Sequence, residues 1–246
     1  MSFTIYPAID LRDGKVVGLK EGDPARITMY SDNPSEMARH WLNAGAGWLH
    51  VVNLDGAFGE SDDSNRAALE SILKVAKEYD AQVQFGGGMR SLDAIERAID
   101  LGVSRAVLGT IAIEKPDVVA TALKKSGAEK VAVGIDARDG LVRVRGWKDG
   151  SGVSARELAF QMRTLGLRTV IFTDVSRDGL GSGLNIAATK ELAEVSGLNV
   201  IASGGVSTLL DVMAAREANL AGVIIGRALY EGTIDLKGVL ELKALS

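Results

Sequence analysis

Ile9-Asp10-Leu11-Arg12-Asp13-Gly14, near the start of the chain, returns past the midpoint as Ile135-Asp136-Ala137-Arg138-Asp139-Gly140, with five identities in six positions. A second pair of segments repeats with it. Phe85-Gly86-Gly87-Gly88-Met89-Arg90-Ser91 followed by Val107-Leu108-Gly109-Thr110 matches Ser203-Gly204-Gly205-Val206 followed by Val223-Ile224-Ile225-Gly226-Arg227. Gly87 stands against Gly204 and Gly109 against Gly226, at the same mutual spacing. Internal repetition constrains a fold before composition does, because both copies have to fold alike. Each copy is about 120 residues, far too long for a solenoid unit. The chain therefore reads as a duplicated half-domain, with halves of about 1–125 and 126–246 forming one domain over 1–246.

Within each half, short β-branched runs alternate with longer amphipathic stretches. Strands are expected at Thr4–Ile9, Trp48–Leu54, Gln82–Phe85, Ala106–Leu108, Lys130–Ile135, Thr169–Thr173, Asn199–Ala202 and Gly222–Ile225. Helices are expected at Pro34–Ala44, Asn65–Tyr79, Leu92–Leu101, Pro116–Ser126, Ala155–Leu165, Ile186–Ser196, Leu209–Ala218 and Leu236–Leu245. Asn33 before Pro34 has the form of an N-cap, and Gly45, Gly102 and Gly166 that of C-terminal stops. Strand then helix, eight times over in 246 residues, is the pattern of an α/β fold of the (β/α)8 TIM-barrel type. A doubly wound open sheet is the alternative. The half-repeat favours closure, since two four-unit halves make a ring with approximate two-fold symmetry, and closure places every residue after a strand on one rim.

The glycine pairs are suited to holding phosphate. Glycine lets the backbone approach an anion closely, and free N–H groups at a helix start favour negative charge. The candidate phosphate residues are Gly87, Gly88, Gly109 and Thr110 in the first cup and Gly204, Gly205, Gly226 and Arg227 in the second. Two such cups imply a small substrate with two phosphates.

Asp10 and Asp136 end the first and fifth strands, which lie opposite each other in an eight-membered ring. Thr173-Asp174-Val175-Ser176-Arg177-Asp178-Gly179 brings two further carboxylates to the same rim. Facing carboxylates in an apolar-walled cleft suit general acid and base work, because burial and neighbouring charge separate their pKa values. Asp55, Asp139 and Asp174 read equally well as turn caps. His40 in a helical pattern and His50 inside the second strand read as structural, and Lys20 reads as a loop residue. No run of histidine and acidic residues has metal-ligand spacing. The expectation is proton transfer without metal or cofactor.

A net charge of −4 with interspersed signs leaves no footprint for nucleic acid or an anionic membrane. With no cysteine, a disulfide frame and thiolate metal sites are excluded. Nothing near the N-terminus reads as a signal peptide, and no apolar run reaches membrane length. A cytoplasmic protein is expected, acting as a monomer.

Taken in order, Pro7-Ala8-Ile9-Asp10-Leu11, His50-Val51-Val52-Asn53-Leu54-Asp55-Gly56-Ala57, Gly86-Gly87-Gly88-Met89-Arg90, Gly146-Trp147, Thr173 to Gly179, Ser203-Gly204-Gly205 and Gly226-Arg227-Ala228-Leu229 resemble the histidine-biosynthesis isomerases of ProFAR, an aminoimidazole carboxamide ribonucleotide with two ribose phosphates. The resemblance covers essentially the whole chain. It implies an Amadori rearrangement with Asp10 as general base and Asp178 as general acid. Asp136 and Thr173 would hold the substrate, with Gly179 contributing to phosphate binding. The sister cyclase of the pathway shares the half-barrel repeat, but usually has a cysteine near the first-strand aspartate and Thr-Ser after strand six, where this chain has Ala8-Ile9 and Thr173-Asp174. A non-catalytic phosphometabolite-binding barrel would keep the cups and lose an acid, and both acids are present.

The sequence departs from the family pattern at two places. Val16-Val17-Gly18-Leu19 has glycine where arginine is usual, and Asn53 stands where aspartate is usual. An arginine restored at 18 is expected to raise ProFAR turnover. Arg145-Gly146-Trp147 also matches a bifunctional form of the family that acts on phosphoribosylanthranilate as well. That match implies Arg145 and Trp147 as further substrate contacts, Arg145 gripping a carboxylate. The alternative is that Arg143 and Arg145 alternate on a solvated hairpin.

Overall fold

The computed structural model describes residues 3–20 and 22–244. Eight parallel strands form its centre: β1 (Thr4–Arg12), β4 (Trp48–Asn53), β5 (Gln82–Gly86), β6 (Arg105–Leu108), β7 (Val131–Arg138), β10 (Thr169–Asp174), β11 (Asn199–Ser203) and β12 (Gly222–Ile225). Four more, β2 (Lys15–Lys20), β3 (Asp23–Ser31), β8 (Leu141–Val144) and β9 (Asp149–Ser154), form antiparallel extensions. The long helices are α1 (Pro34–Asn43), α3 (Asp63–Glu78), α4 (Leu92–Leu101), α6 (Pro116–Ser126), α7 (Ala155–Thr164), α8 (Ile186–Ser196), α9 (Leu209–Glu217) and α11 (Leu236–Ala244). Three short turns of helix complete the set: α2 (Leu54–Phe58), α5 (Ile111–Glu114) and α10 (Arg227–Tyr230).

Each parallel strand pairs with the next, and the ring is closed by β12 on β1 (Thr4 opposite Gly222) and by β10 on β7 (Thr173 opposite Asp136). This is the (β/α)8 TIM barrel, and closure excludes the open sheet. The central strands are buried on both faces, which is why they read as nearly unbroken apolar runs. Most of the core lies between barrel and helices, built from residues such as Ile9, Leu49, Ile72, Leu108, Leu158 and Ile225. A smaller cluster of Tyr6, Ala8, Val107, Ala132, Ile171, Ile201 and Ile224 fills the barrel interior.

Every expected strand and long helix is present, with bounds shifted by up to three residues. Asn33 caps α1 by accepting from the Glu36 N–H, and Gly45, Gly102 and Gly166 all follow helices in the left-handed conformation. Leu245, the expected end of the last helix, lies outside the described residues. Lys20 closes strand β2 and does not lie in a loop. The extensions β2–β3 and β8–β9 have the same place in each half, after the strands that carry Asp10 and Asp136.

Candidate active site

The strand C-termini surround a cavity of about 830 Å³, whose wall includes Asp10, Asp136, Thr173, Asp178 and both glycine cups. The wall combines glycine backbone and aliphatic side chains such as Ala8, Val52, Ile171 and Ile224 with these carboxylates, which are buried in it. Burial pushes the Asp10 carboxyl up to about 7. Asp178 is also raised to about 7, by burial first and then by the negative charges of Asp10 and Asp136. Asp136 is raised by burial too, but hydrogen bonds from Trp147 and Thr173 pull it back. Three carboxyl groups at one rim are thereby separated into a hydrogen-bonded one and two that titrate near neutrality.

The other acids on this rim have different work. Asp174 accepts from the Ser176 N–H and hydroxyl at 3.0 and 2.5 Å and from the Asn185 amide at 2.7 Å, and so ties down the start of the loop that carries Asp178. Asp55 accepts from the Asp13 N–H at 2.8 Å and the Asn65 amide at 2.9 Å. Both are turn-capping groups. Asn53 caps α2 at the Gly56 N–H and donates to Asp62 at 2.7 Å, a bond that the aspartate usual in the family could not donate.

The two cups match in detail. Gly87 has φ 99° and Gly204 has φ 87°. A Cβ on Gly87 would lie 2.1 Å from the Asn53 carbonyl oxygen, and one on Gly204 would lie 2.8 Å from that of Asp174. In each half, then, the first glycine is pressed against the end of an adjacent strand, and only glycine fits. Gly88 packs on Gly56 and Gly205 on Gly183 in the same manner. Gly109 and Gly226 precede the short helices α5 and α10, with Thr110 as the capping position of the first. Arg227 donates to the Gly179 carbonyl at 2.7 Å and pairs with Glu231, which joins the second cup to the Asp178 loop.

The β7–β8–β9 loop lies over the cavity. Arg145, Gly146 and Trp147 are consecutive left-handed residues, with φ 53°, 66° and 67°. Trp147 reaches inward to hydrogen-bond Asp136 and lies against Gly22 of the first loop. The exposed Arg145 guanidinium, on the cavity wall, pairs with Glu114 at 2.8 Å and Asp149 at 3.3 Å, while the Arg145 backbone N–H donates to the Thr110 hydroxyl. Gly18 lines the cavity, but a Cβ there would lie 2.7 Å from the Tyr30 ring, so the space of the usual arginine is partly taken.

Arg90 and His50 are among the cavity residues that the sequence reading did not assign to the site. Arg90 lines the cavity beside the first cup and donates to the Gly56 carbonyl at 3.2 Å. Its place in the Gly-Gly-Gly-Met-Arg motif was the available signal. His50, read as structural, lines the cavity, and burial lowers its ring to about 4, so it is neutral. Its inward position follows from strand alternation with Asn53 capping α2, which the pattern alone did not resolve. Among the described residues, no group of three or more His, Asp or Glu side chains is placed to hold a metal ion.

Residues 4–235 match the family model described as "Histidine biosynthesis protein". A protein of Syntrophomonas wolfei is 47% identical over 94% of this chain and 95% of its own length. One of Shouchella clausii is 47% identical over 98% of both, and one of Roseobacter denitrificans 45% identical over 96% and 98%. All three bear the name of an imidazole-4-carboxamide isomerase whose substrate carries two 5-phosphoribosyl groups. A barrel with two matched glycine cups, two carboxyls raised to neutrality between them, and full-length similarity to such proteins makes this chain a member of the histidine biosynthesis isomerase family.

Proposed function

We propose that this protein is the aldose-ketose isomerase that converts ProFAR to its aminoketose isomer in histidine biosynthesis. The observation that carries the reading is the pair Asp10 and Asp178, each raised to about 7 within one cavity that has a glycine cup in each half of the barrel. At neutral pH such a pair readily holds one proton, which supplies both a base and an acid.

On this reading, Asp178 gives its proton to the ring oxygen of the aminoaldose. The C1–O bond breaks, and the nitrogen lone pair forms a C=N bond, leaving an iminium. Asp10 then takes the proton from C2, the C–H electrons form C1=C2, and nitrogen regains its lone pair. The resulting enaminol tautomerises to the aminoketose, so the atoms balance without an external reactant. Asp136, held by Thr173 and Trp147, positions the substrate, and the two cups hold its phosphates through Gly87, Gly88, Gly109 and Thr110 at one end and Gly179, Gly204, Gly205, Gly226 and Arg227 at the other. The same reading has the protein working in the cytoplasm as a monomer; the described residues contain no helix long and apolar enough to cross a membrane.

The names of the relatives support the histidine substrate, and a substrate carboxylate gripped by Arg145 would have to displace its exposed pairs with Glu114 and Asp149. The test is turnover of ProFAR by the purified protein and by Asp10→Asn and Asp178→Asn. Each variant should lose on the order of 10²–10⁴ in kcat while keeping its fold. Near-normal kcat in either variant overturns the acid/base assignment.

A further inference from the structure

Arg105 is a buried cation with no carboxylate partner among the described residues. It sits on the inner face of β6, 9% exposed, in a barrel interior that is otherwise largely aliphatic. Its guanidinium lies over the Trp48 ring, 4.6 Å from the centroid, and donates to the Gln84 side-chain oxygen at 3.2 Å, the Glu129 carbonyl at 3.3 Å and the Tyr6 hydroxyl at 3.4 Å. Burying a guanidinium against neutral partners costs stability relative to an aliphatic side chain of similar volume. Its place therefore calls for a role beyond filling the barrel.

The register supplies one. His50, Gln84 and Arg105 are direct partners across β4, β5 and β6, which makes them one polar row on the inner face. The row runs from the barrel's lower end to the cavity wall, where His50 stands. Its hydrogen-bond directions are dictated by chemistry. A guanidinium has only donors, so it orients the fully buried Gln84 amide with oxygen toward Arg105. The Gln84 amide nitrogen then faces His50 Nδ1 at 3.0 Å, and because it has only hydrogens to offer, Nδ1 must accept. A neutral imidazole whose Nδ1 accepts carries its proton on Nε2.

We infer that Arg105 and Gln84 are positioning residues that hold His50 as the Nε2–H tautomer, a fixed neutral hydrogen-bond donor on the cavity wall for an oxygen of the reacting sugar. The tautomer follows from the ligand-free geometry alone, whereas its use toward the sugar rests on the isomerase reading. The ring's resistance to protonation agrees with this role, since it stays a neutral donor across the working range. A neutral donor is suited to the ring oxygen, which gains electron density as the C1–O bond breaks, because it stabilises that charge without quenching the base.

The test reads the proton directly. In a long-range ¹H–¹⁵N spectrum of the ligand-free protein, His50 should show a protonated Nε2 and a bare Nδ1; His40→Gln removes the only other histidine signal. Gln84→Glu replaces the donor by an acceptor of the same shape, so the ring should move its proton to Nδ1 or take a second one. ProFAR kcat should then fall by about tenfold to a hundredfold with KM little changed. Gln84→Met, which cannot hydrogen-bond, should give mixed tautomers and a smaller loss, and it serves where Gln84→Glu does not fold. A wild-type ring protonated on Nδ1, or a folded Gln84→Glu with an unchanged tautomer, overturns the positioning role. A changed tautomer with unchanged kcat overturns the donor role toward the sugar. Should the protein fail to turn over ProFAR at all, the isomerase reading falls while the ligand-free spectrum still decides the tautomer.

Discussion

The negative charge of Asp10 reaches Asp178 across the cavity and adds to the burial that lifts the Asp178 carboxyl to about 7. Asp10 is raised to about 7 by burial alone. The two groups therefore titrate as a coupled pair, and protons leave the pair in two steps. The singly protonated form is the one competent for acid and base work, so kcat/KM should follow a narrow bell centred near pH 7. A profile that stays flat from pH 5 to 9 contradicts this pairing.

The same shifts carry a stability cost with a definite sign. In the unfolded chain both carboxyls ionise near 3.8, the ordinary value for aspartate, whereas folded Asp10 and Asp178 keep their protons to about 7. The unfolded state thus binds fewer protons in this window, and stability falls as pH rises from about 4 to about 7. Asn mimics the protonated acid without ionising. At pH 8, Asp10→Asn and Asp178→Asn should each raise Tm by at least about 3 °C over wild type, with the gain vanishing at pH 4. Thermal melts at the two pH values check this.

The cups should respond unequally to added methyl groups. Gly87→Ala and Gly204→Ala each combine a left-handed backbone with a clash against a carbonyl oxygen, and each should lose about 2 kcal/mol or more of stability. Nothing lies within 4 Å of a Cβ at Gly109, so Gly109→Ala should leave Tm within about 2 °C. Differential scanning calorimetry of the three variants separates the cases.

Gly18→Arg should not by itself raise turnover. Its Cβ enters the space of the Tyr30 ring, which is stacked on Tyr230 with centroids 4.3 Å apart, while the Tyr230 hydroxyl donates to the Ala8 carbonyl. The expected result is a loss of about 1–2 kcal/mol in the single variant. Tyr30→Ala in the same chain should relieve the clash and recover part of the ProFAR kcat/KM. Kinetics and melts of the single and double variants are the measurement.

Asn53→Asp restores the family's usual residue but turns a hydrogen bond into a carboxylate facing Asp62 at about the present 2.7 Å. At pH 7 this should cost about 1–3 kcal/mol. The pair shares a proton more easily in acid, so the deficit should shrink as pH falls toward 4. Urea unfolding at pH 7 and pH 4 checks both size and direction.

The barrel was legible in the sequence because its signals are local. Eight β-branched runs, eight amphipathic stretches and the glycine and asparagine end signals each depend on neighbours within a few residues. The repeat of Asp10 and Gly87 as Asp136 and Gly204 then made closure the economical arrangement. The cup glycines were legible for the same reason, since only glycine meets the close approach of another strand's carbonyl.

What tertiary structure alone decided is how equivalent residue types divide their work. Asp174 ends β10 and Asp178 lies four positions on in the loop that follows, yet one is bound by Ser176 and Asn185 while the other faces the cavity with a raised carboxyl. His50 looked like an interior residue of a buried strand, and its ring chemistry appears only when Gln84 and Arg105 fall into register beside it from two other strands. Arg145 matched a carboxylate-gripping motif, and the fold put Glu114 and Asp149 within its reach. Desolvation, charge and hydrogen-bond direction depend on groups brought from far along the chain, and a residue's own neighbours in sequence do not report them.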